Sequence, residues 1–155
     1  MKKITSLFIA FVLIWGSSLA YASKNVFQFQ INGYHTQRQS GQTLEIYVRY
    51  ALKDTIEYSA FPDYLDLRKI VLTYLEPTKE LPVNTYWEII AAKIGDDLAA
   101  HFPLSGVSVQ ILVHGNGTGE IYEPGFHGPI YTIGDVTPLS QIVTFTHKKV
   151  KHNKL

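Results

Sequence analysis

Alternation of apolar and polar positions begins at Val26. Phe27, Phe29 and Ile31 are separated by Gln28 and Gln30, the period-two pattern of a half-buried strand, and Asn32-Gly33 breaks it. A second run over residues 43–50 puts Leu44, Ile46, Val48 and Tyr50 on one face and Thr43, Glu45, Tyr47 and Arg49 on the other. Two amphipathic strands with a short connection predict an antiparallel pair. The period then lengthens. Ser59 is placed to cap a helix with Pro62 in its first turn; Leu67, Ile70, Val71 and Tyr74 recur at helical spacing, and Glu76-Pro77 ends it. A second helix carries Trp87, Ile90, Ala91, Ile94 and Leu98 on one stripe and stops at Phe102-Pro103. Val107, Val109, Ile111 and Val113 make a third strand. Residues 115–138 read as a long Gly-rich irregular stretch, and residues 141–147 as the last strand.

The order ββααββ predicts an α+β fold: a four-stranded antiparallel sheet with two helices packed on one face. Such a sheet leaves both edges open. It can continue into a neighbouring subunit and close into a barrel, which removes the edges.

Residues 1–22 have the form of an export signal. Lys2 and Lys3 precede a short apolar run from Leu7 to Trp15, and Ala20-Tyr21-Ala22 supplies the small-x-small cleavage pattern. An uncleaved anchor is the alternative, although the run is short for a membrane span. Cleavage after Ala22 leaves one domain over residues 23–147 and a basic tail over 148–155, with no stable membrane span and a periplasmic or secreted location. The chain has no cysteine, so the domain relies on its core and on subunit association. A net charge of +1 gives no electrostatic footprint for nucleic acid. The tail, with Lys148, Lys149, Lys151 and Lys154, reads as a solvated terminus or as a weak contact for an anionic surface.

The most informative stretch runs from Asp54 to Val113. Asp54-Thr55-Ile56-Glu57-Tyr58 precedes the first helix, and Glu88 opens the second within Tyr86-Trp87-Glu88-Ile89-Ile90. Before them come Gly33-Tyr34-His35 and Gly41-Gln42. In this order and on these elements, the pieces resemble the dihydroneopterin aldolase family of folate biosynthesis, which has the tunnelling fold. The resemblance implies a homo-oligomer with its site between subunits, no cofactor, and a pterin or purine-like ligand. Glu88 would anchor it, its two carboxylate oxygens matching the adjacent ring N–H and exocyclic amine of a 2-amino-4-oxo-pteridine. Tyr58 would pack on the ligand or orient a hydroxyl near the reacting side chain, and backbone groups at Ile56 and Trp87 would read the remaining ring edge. Residue types alone leave other readings open. Thr85-x-x-Glu88 is a capping box, Asp54-Thr55 a simple turn, and Tyr58 and Trp87 packing residues.

The family's retro-aldol reaction uses a Lys at the end of the third strand; here that place holds Val113-His114, so His114 is the nearest candidate base. The family's acidic residue in the first loop is missing from residues 36–40. His35, His114 and His127 lack the spacing of a metal set, and no metal is expected. Gly115-Asn116-Gly117-Thr118-Gly119 lacks the Lys-Ser/Thr of a phosphate loop and reads as a flexible turn. Two functions follow from these residues: an exported lyase acting on 7,8-dihydroneopterin through Tyr58 and His114, or a non-catalytic exported protein of the same fold that binds a ligand or only assembles. Intact-mass analysis of the exported protein should find a chain beginning at Ser23; a retained Met1 would exclude the cleavage.

Overall fold

The computed structural model describes residues 25–115 and 125–140. The export signal, the predicted last strand at 141–147, the basic tail and most of the Gly115–Gly119 turn lie outside them. The described elements are strands β1 (Val26–Thr36) and β2 (Gln42–Leu52), helices α1 (Tyr64–Thr73) and α2 (Trp87–His101), and strands β3 (Leu104–Val113) and β4 (Ile130–Gly134). The sheet order is β1-β2-β3-β4, each strand antiparallel to the next. Both helices are inserted between β2 and β3.

The alternation explains the layers. Leu44, Ile46 and Val48 of β2 and Val107, Val109, Ile111 and Val113 of β3 are all completely buried on one face. They meet Leu67 and Val71 of α1 and Ile90, Ala91, Ile94 and Leu98 of α2, also completely buried. A hydroxyl-to-carboxylate bond, Tyr74 Oη to Asp97 Oδ2 at 2.8 Å, ties the end of α1 to α2. Burial first, and that bond second, push the Tyr74 hydroxyl up to about 12.

Three boundaries differ from the sequence expectation. Asn32-Gly33 does not end the first strand: pairing resumes at Tyr34↔Leu44 after a register shift, with Gly33 at φ +61°, so the pair is a bulge inside a longer β1. Ser59 does not cap α1. It sits in a 3-10 turn over Tyr58–Ala60, and Asp63 caps the helix by accepting from the Leu65 amide at 2.9 Å. Pro62 therefore precedes the cap instead of occupying the first turn. The stretch 115–138 is not irregular throughout, since β4 lies within it and pairs with β3 from Gln110↔Ile130 to Gly106↔Gly134.

After β4 the chain folds onto the helix-free face of the sheet. Gly134 turns it at φ +70°, and a Cβ on Gly106 would lie 2.6 Å from the Asp135 amide nitrogen, so the crossing requires glycine there. The strap over 135–140 is held by Arg49 Nη1, which donates to the carbonyls of Thr137 and Pro138, and by the Leu139 amide, which donates to Ser108 Oγ.

The β1–β2 connection is organised by a buried arginine. Arg38 is completely buried and its guanidinium donates to four carbonyls of the α1–α2 connection: Tyr74 at 3.3 Å, Glu76 at 2.6 Å, Leu81 at 3.1 Å and Pro82 at 2.8 Å. Burial pulls its pKa down, and the charge on Glu76 pulls the other way. The Gln39 amide donates to Val83 and its side chain to Thr85, while Thr36 Oγ1 donates to Leu75. Arg38→Met should destabilise the domain by about 3 kcal/mol or more, because it strands several buried carbonyls at once. Urea unfolding measures this; a loss within about 0.5 kcal/mol, the range of ordinary surface changes, would show that the bonds carry nothing.

Candidate functional site

The two ends of β2 separate the candidate residues. Its eleven residues span about 33 Å at roughly 3.3 Å per residue. At the Leu52 end the chain turns through Lys53–Ile56, closed by the Ile56 amide donating to Lys53, so Asp54-Thr55 is a turn. Tyr58 follows, 87% exposed, its ring 5.1 Å from that of Phe61. Phe61 packs edge-on against Phe27, and Phe27 stacks on Tyr50. The rings of Phe27, Tyr50 and Phe61, but not Tyr58, line an aromatic groove of about 400 Å³ that also takes in Leu52, Asp63 and Tyr64. Ile56 is half-buried against the core.

At the Gln42 end stand Trp87, Glu88 and His114. Trp87 is buried and its Nε1 donates to Gln42 Oε1 at 3.1 Å, pinning the first turn of α2 to the start of β2. Glu88 is exposed and makes no hydrogen bond or ion pair among the described residues. The capping box is not formed. Thr85 Oγ1 donates backwards to the Pro82 carbonyl, and Tyr86 takes the N-cap position without a side-chain bond. Glu88 nevertheless stays in the first turn of α2. His114 begins from the neighbouring β2 residue, its amide donating to the Thr43 carbonyl.

The structure therefore brings Trp87, Glu88 and His114 to one end of the sheet, and Tyr58 and Ile56 to the other. The exposed large apolar residues follow the same division. Val26, Phe27, Tyr58, Tyr64 and Leu65 gather at the Leu52 end; Val83, Tyr86 and Ile89 flank Glu88, and Phe126 packs its ring 4.6 Å from that of His114. Glu88 lines neither the aromatic groove nor a second groove of about 350 Å³ on the helix-free face.

Three residues of consequence are absent from the sequence reading of the site. Arg38 sets the path into α2. Glu45 accepts from His114 Nε2 at 3.0 Å and from the Tyr47 hydroxyl at 2.5 Å. Glu45 and Tyr47 were legible as neighbours on the polar face of a strand, but their link to His114 depends on the β2–β3 register. His35 and His127 go elsewhere, to Thr43 Oγ1 and the Gly125 carbonyl. Among the described residues no group of three or more His, Asp or Glu side chains is placed to hold a metal, and no helix is long and apolar enough to cross a membrane.

No family model and no curated protein matches the chain by sequence. Solved structures do. An archaeosine synthase QueF-like protein superposes with a TM-score of 0.51 at 13% identity, covering 75% of this chain and all of its own. A protein described as dihydroneopterin aldolase (FolB) from Vibrio cholerae O1 biovar El Tor gives 0.50 at 12% identity over 70% of this chain and 97% of its own. The E. coli dihydroneopterin aldolase, solved in complex with neopterin, gives 0.50 at 15% identity over 70% of this chain and 99% of its own. At these identities the likeness speaks for architecture, and the architecture of this chain is the tunnelling fold.

Proposed function

We propose that this protein binds a pterin or purine-like ligand between two copies of itself, with Glu88 of one copy as the anchor and Tyr58 and Ile56 of the next completing the site. The observation that carries the reading is Glu88: a carboxylate at a helix start, rimmed by exposed Val83, Tyr86 and Ile89, and left without a partner among the described residues. An ionised carboxylate offers two acceptors side by side, which suits the paired donors of a 2-amino-4-oxo ring edge. Trp87, locked on Gln42, holds the backbone beside it.

Association follows from the division of the site. Within one chain Tyr58 and Glu88 stand at opposite ends of the sheet, and each end exposes an apolar patch of the kind that marks an interface. A head-to-tail ring would set the Leu52 end of one copy against the Gln42 end of the next and shield both patches. The proposed setting is the exported, signal-free chain, periplasmic or secreted. Ligand binding is the main activity under this reading. Any cleavage of 7,8-dihydroneopterin is slow, below about one turnover per second, because Val113-His114 replaces the lysine and residues 36–40 carry no acid.

Glu88→Gln exchanges an acceptor for a donor that faces the ligand's own donor. Affinity for neopterin should fall on the order of a hundredfold, read by calorimetry on the cleaved chain. Equal affinity would return Glu88 to a purely structural role, and a failure of the parent to bind neopterin, biopterin, guanine or urate would remove the ligand-binding reading altogether.

Subunit sharing has its own test. Glu88→Gln and Tyr58→Ala chains, each impaired alone, are unfolded together and refolded as a mixture. Random pairing should restore intact sites at about a quarter of positions. No recovery in the mixture would place both residues' roles within a single chain.

A further inference from the structure

The groove of about 350 Å³ on the helix-free face takes no part in the reading above. Strand alternation turns Tyr47, Arg49 and Gln110 away from the helices, and register sets them in rows across the sheet. Gln30 pairs with Tyr47 and Tyr47 with Gln110; in the next row Gln28 pairs with Arg49 and Arg49 with Ser108. Gln28, Gln30, Tyr47, Arg49 and Gln110 all line the groove, and Leu139 of the strap closes one side of it. Gln110 is 5% exposed, yet its carboxamide hydrogen-bonds no described residue. No polar side-chain atom among the described residues is both sealed off and unpartnered, so this carboxamide stays open to the groove that it lines. A carboxamide so deeply placed has donors and an acceptor to satisfy, and the groove is where partners can reach it.

We propose that this groove binds a small polyhydroxylated carboxylate, a sugar acid, with Arg49 taking the carboxylate and the carboxamides of Gln30 and Gln110 taking hydroxyls. The site stands apart from Glu88 and does not depend on it. Charge is the first argument. Arg49 is the one charged residue among the groove's described walls, and no carboxylate lines them. Its Nη1 donates to the strap carbonyls of Thr137 at 3.3 Å and Pro138 at 3.1 Å, and its Nη2 reaches Gln28 Oε1 at 3.4 Å. The Nε–H has no acceptor among the described residues. A guanidinium matched by neutral oxygens alone selects an anion, and walls without an acid offer nothing to an ammonium group.

The remaining walls are neutral and two-sided. A carboxamide donates through nitrogen and accepts through oxygen, and a hydroxyl likewise does both, so each can satisfy the other in either direction. The Tyr47 hydroxyl gives its proton to Glu45, and that bond, followed by burial, pushes it up to about 12. It therefore stays protonated and offers the groove its lone pairs, which suit a ligand that brings donors. Leu139 and the Tyr47 ring add apolar surface for the C–H side of a sugar. A volume of about 350 Å³ is at the low end for small-molecule sites and suits a single sugar ring. A compact inorganic anion would satisfy Arg49 and leave the row from Gln30 to Gln110 without partners. A neutral sugar would do the reverse.

The test titrates the full chain beginning at Ser23 with D-glucuronate and follows side-chain N–H signals by NMR. The Gln30 and Gln110 carboxamides and the Arg49 Nε–H should shift saturably, with a dissociation constant at or below about 1 mM. D-glucose, acetate and inorganic phosphate each meet part of the walls and should bind at least about tenfold more weakly. Gln110→Leu leaves the Arg49 bonds to the strap in place and should weaken glucuronate by about tenfold. Arg49→Gln should abolish the preference for glucuronate over glucose. Glu88→Gln lies outside the groove and should change glucuronate affinity by less than about twofold. Absence of saturable shifts at these signals overturns the proposal, and so does unchanged affinity in Gln110→Leu. Acetate or phosphate binding as tightly as glucuronate reduces the groove to a plain anion site and overturns the sugar-acid assignment. Glucose binding equally well, or a preference that survives Arg49→Gln, overturns the role of Arg49.

Discussion

The guanidinium of Arg38 is the interaction on which the arrangement of this domain depends. A charge removed from water needs replacement for the hydration it loses. Here the replacement is a set of neutral carbonyls, because the Glu76 carboxylate is engaged by the Tyr34 hydroxyl and the Gln37 amide instead. The setting is favourable for two reasons. Tyr74 caps the C-terminus of α1, where unpaired carbonyls and the negative end of the helix dipole suit a cation. Leu81 and Pro82 then bring the far side of the same connection to the same group. One side chain thus folds the whole path from α1 to α2 around itself. The strain nearby fits this account. Gln39 and Ser40 have left-handed backbone at φ +48° and +72°, which costs about 1–2 kcal/mol per residue, and the Gln39 bonds to Val83 and Thr85 offset it. Arginine suits the place better than lysine because its planar fork reaches several carbonyls from one fixed position.

From that anchor the rest follows outward. The α1–α2 connection delivers Trp87 onto Gln42, and Glu88 comes next in the chain. The opposite end of the sheet is built differently, from stacked rings instead of a buried charge: Phe27 on Tyr50, Phe61 against Phe27, Tyr58 against Phe61. The Gln42 end is fastened by hydrogen bonds and the Leu52 end by ring contacts, and both expose large apolar side chains.

The hydrophobic alternation made the sheet and its buried face legible. Residues 43–50 and 107–113 carry a period of two that leaves no other orientation for Leu44, Ile46, Val107 and Val109, all of which are buried. Helix α2 was legible to its C-terminal boundary, because Phe102-Pro103 ends it. The start of α1 was not, since Ser59 and Asp63 are both good caps and only packing chooses between them. Strand β4 was hidden by its length: five residues from Ile130 to Gly134, just after Gly128-Pro129, look like loop until β3 supplies a partner. Tyr58, Glu88 and His114 could be singled out by residue type and order. Their separation into two ends could not, and neither could the burial of Arg38, because both are properties of three-dimensional closure.

The strap over residues 135–140 carries a consequence in time. Its bonds from Arg49 close across 88 and 89 residues of chain, whereas β1 and β2 meet across the short connection 37–41. The entropy lost in closing a loop grows with its length, so hairpin, helices and β3–β4 pairing have less to overcome than the strap does. Among the described elements, the strap over the helix-free face is thus expected to close late in folding. A cut in the strap would remove the bonds with Arg49 and Ser108 without breaking any pairing of β1 to β4 or any bond of Arg38.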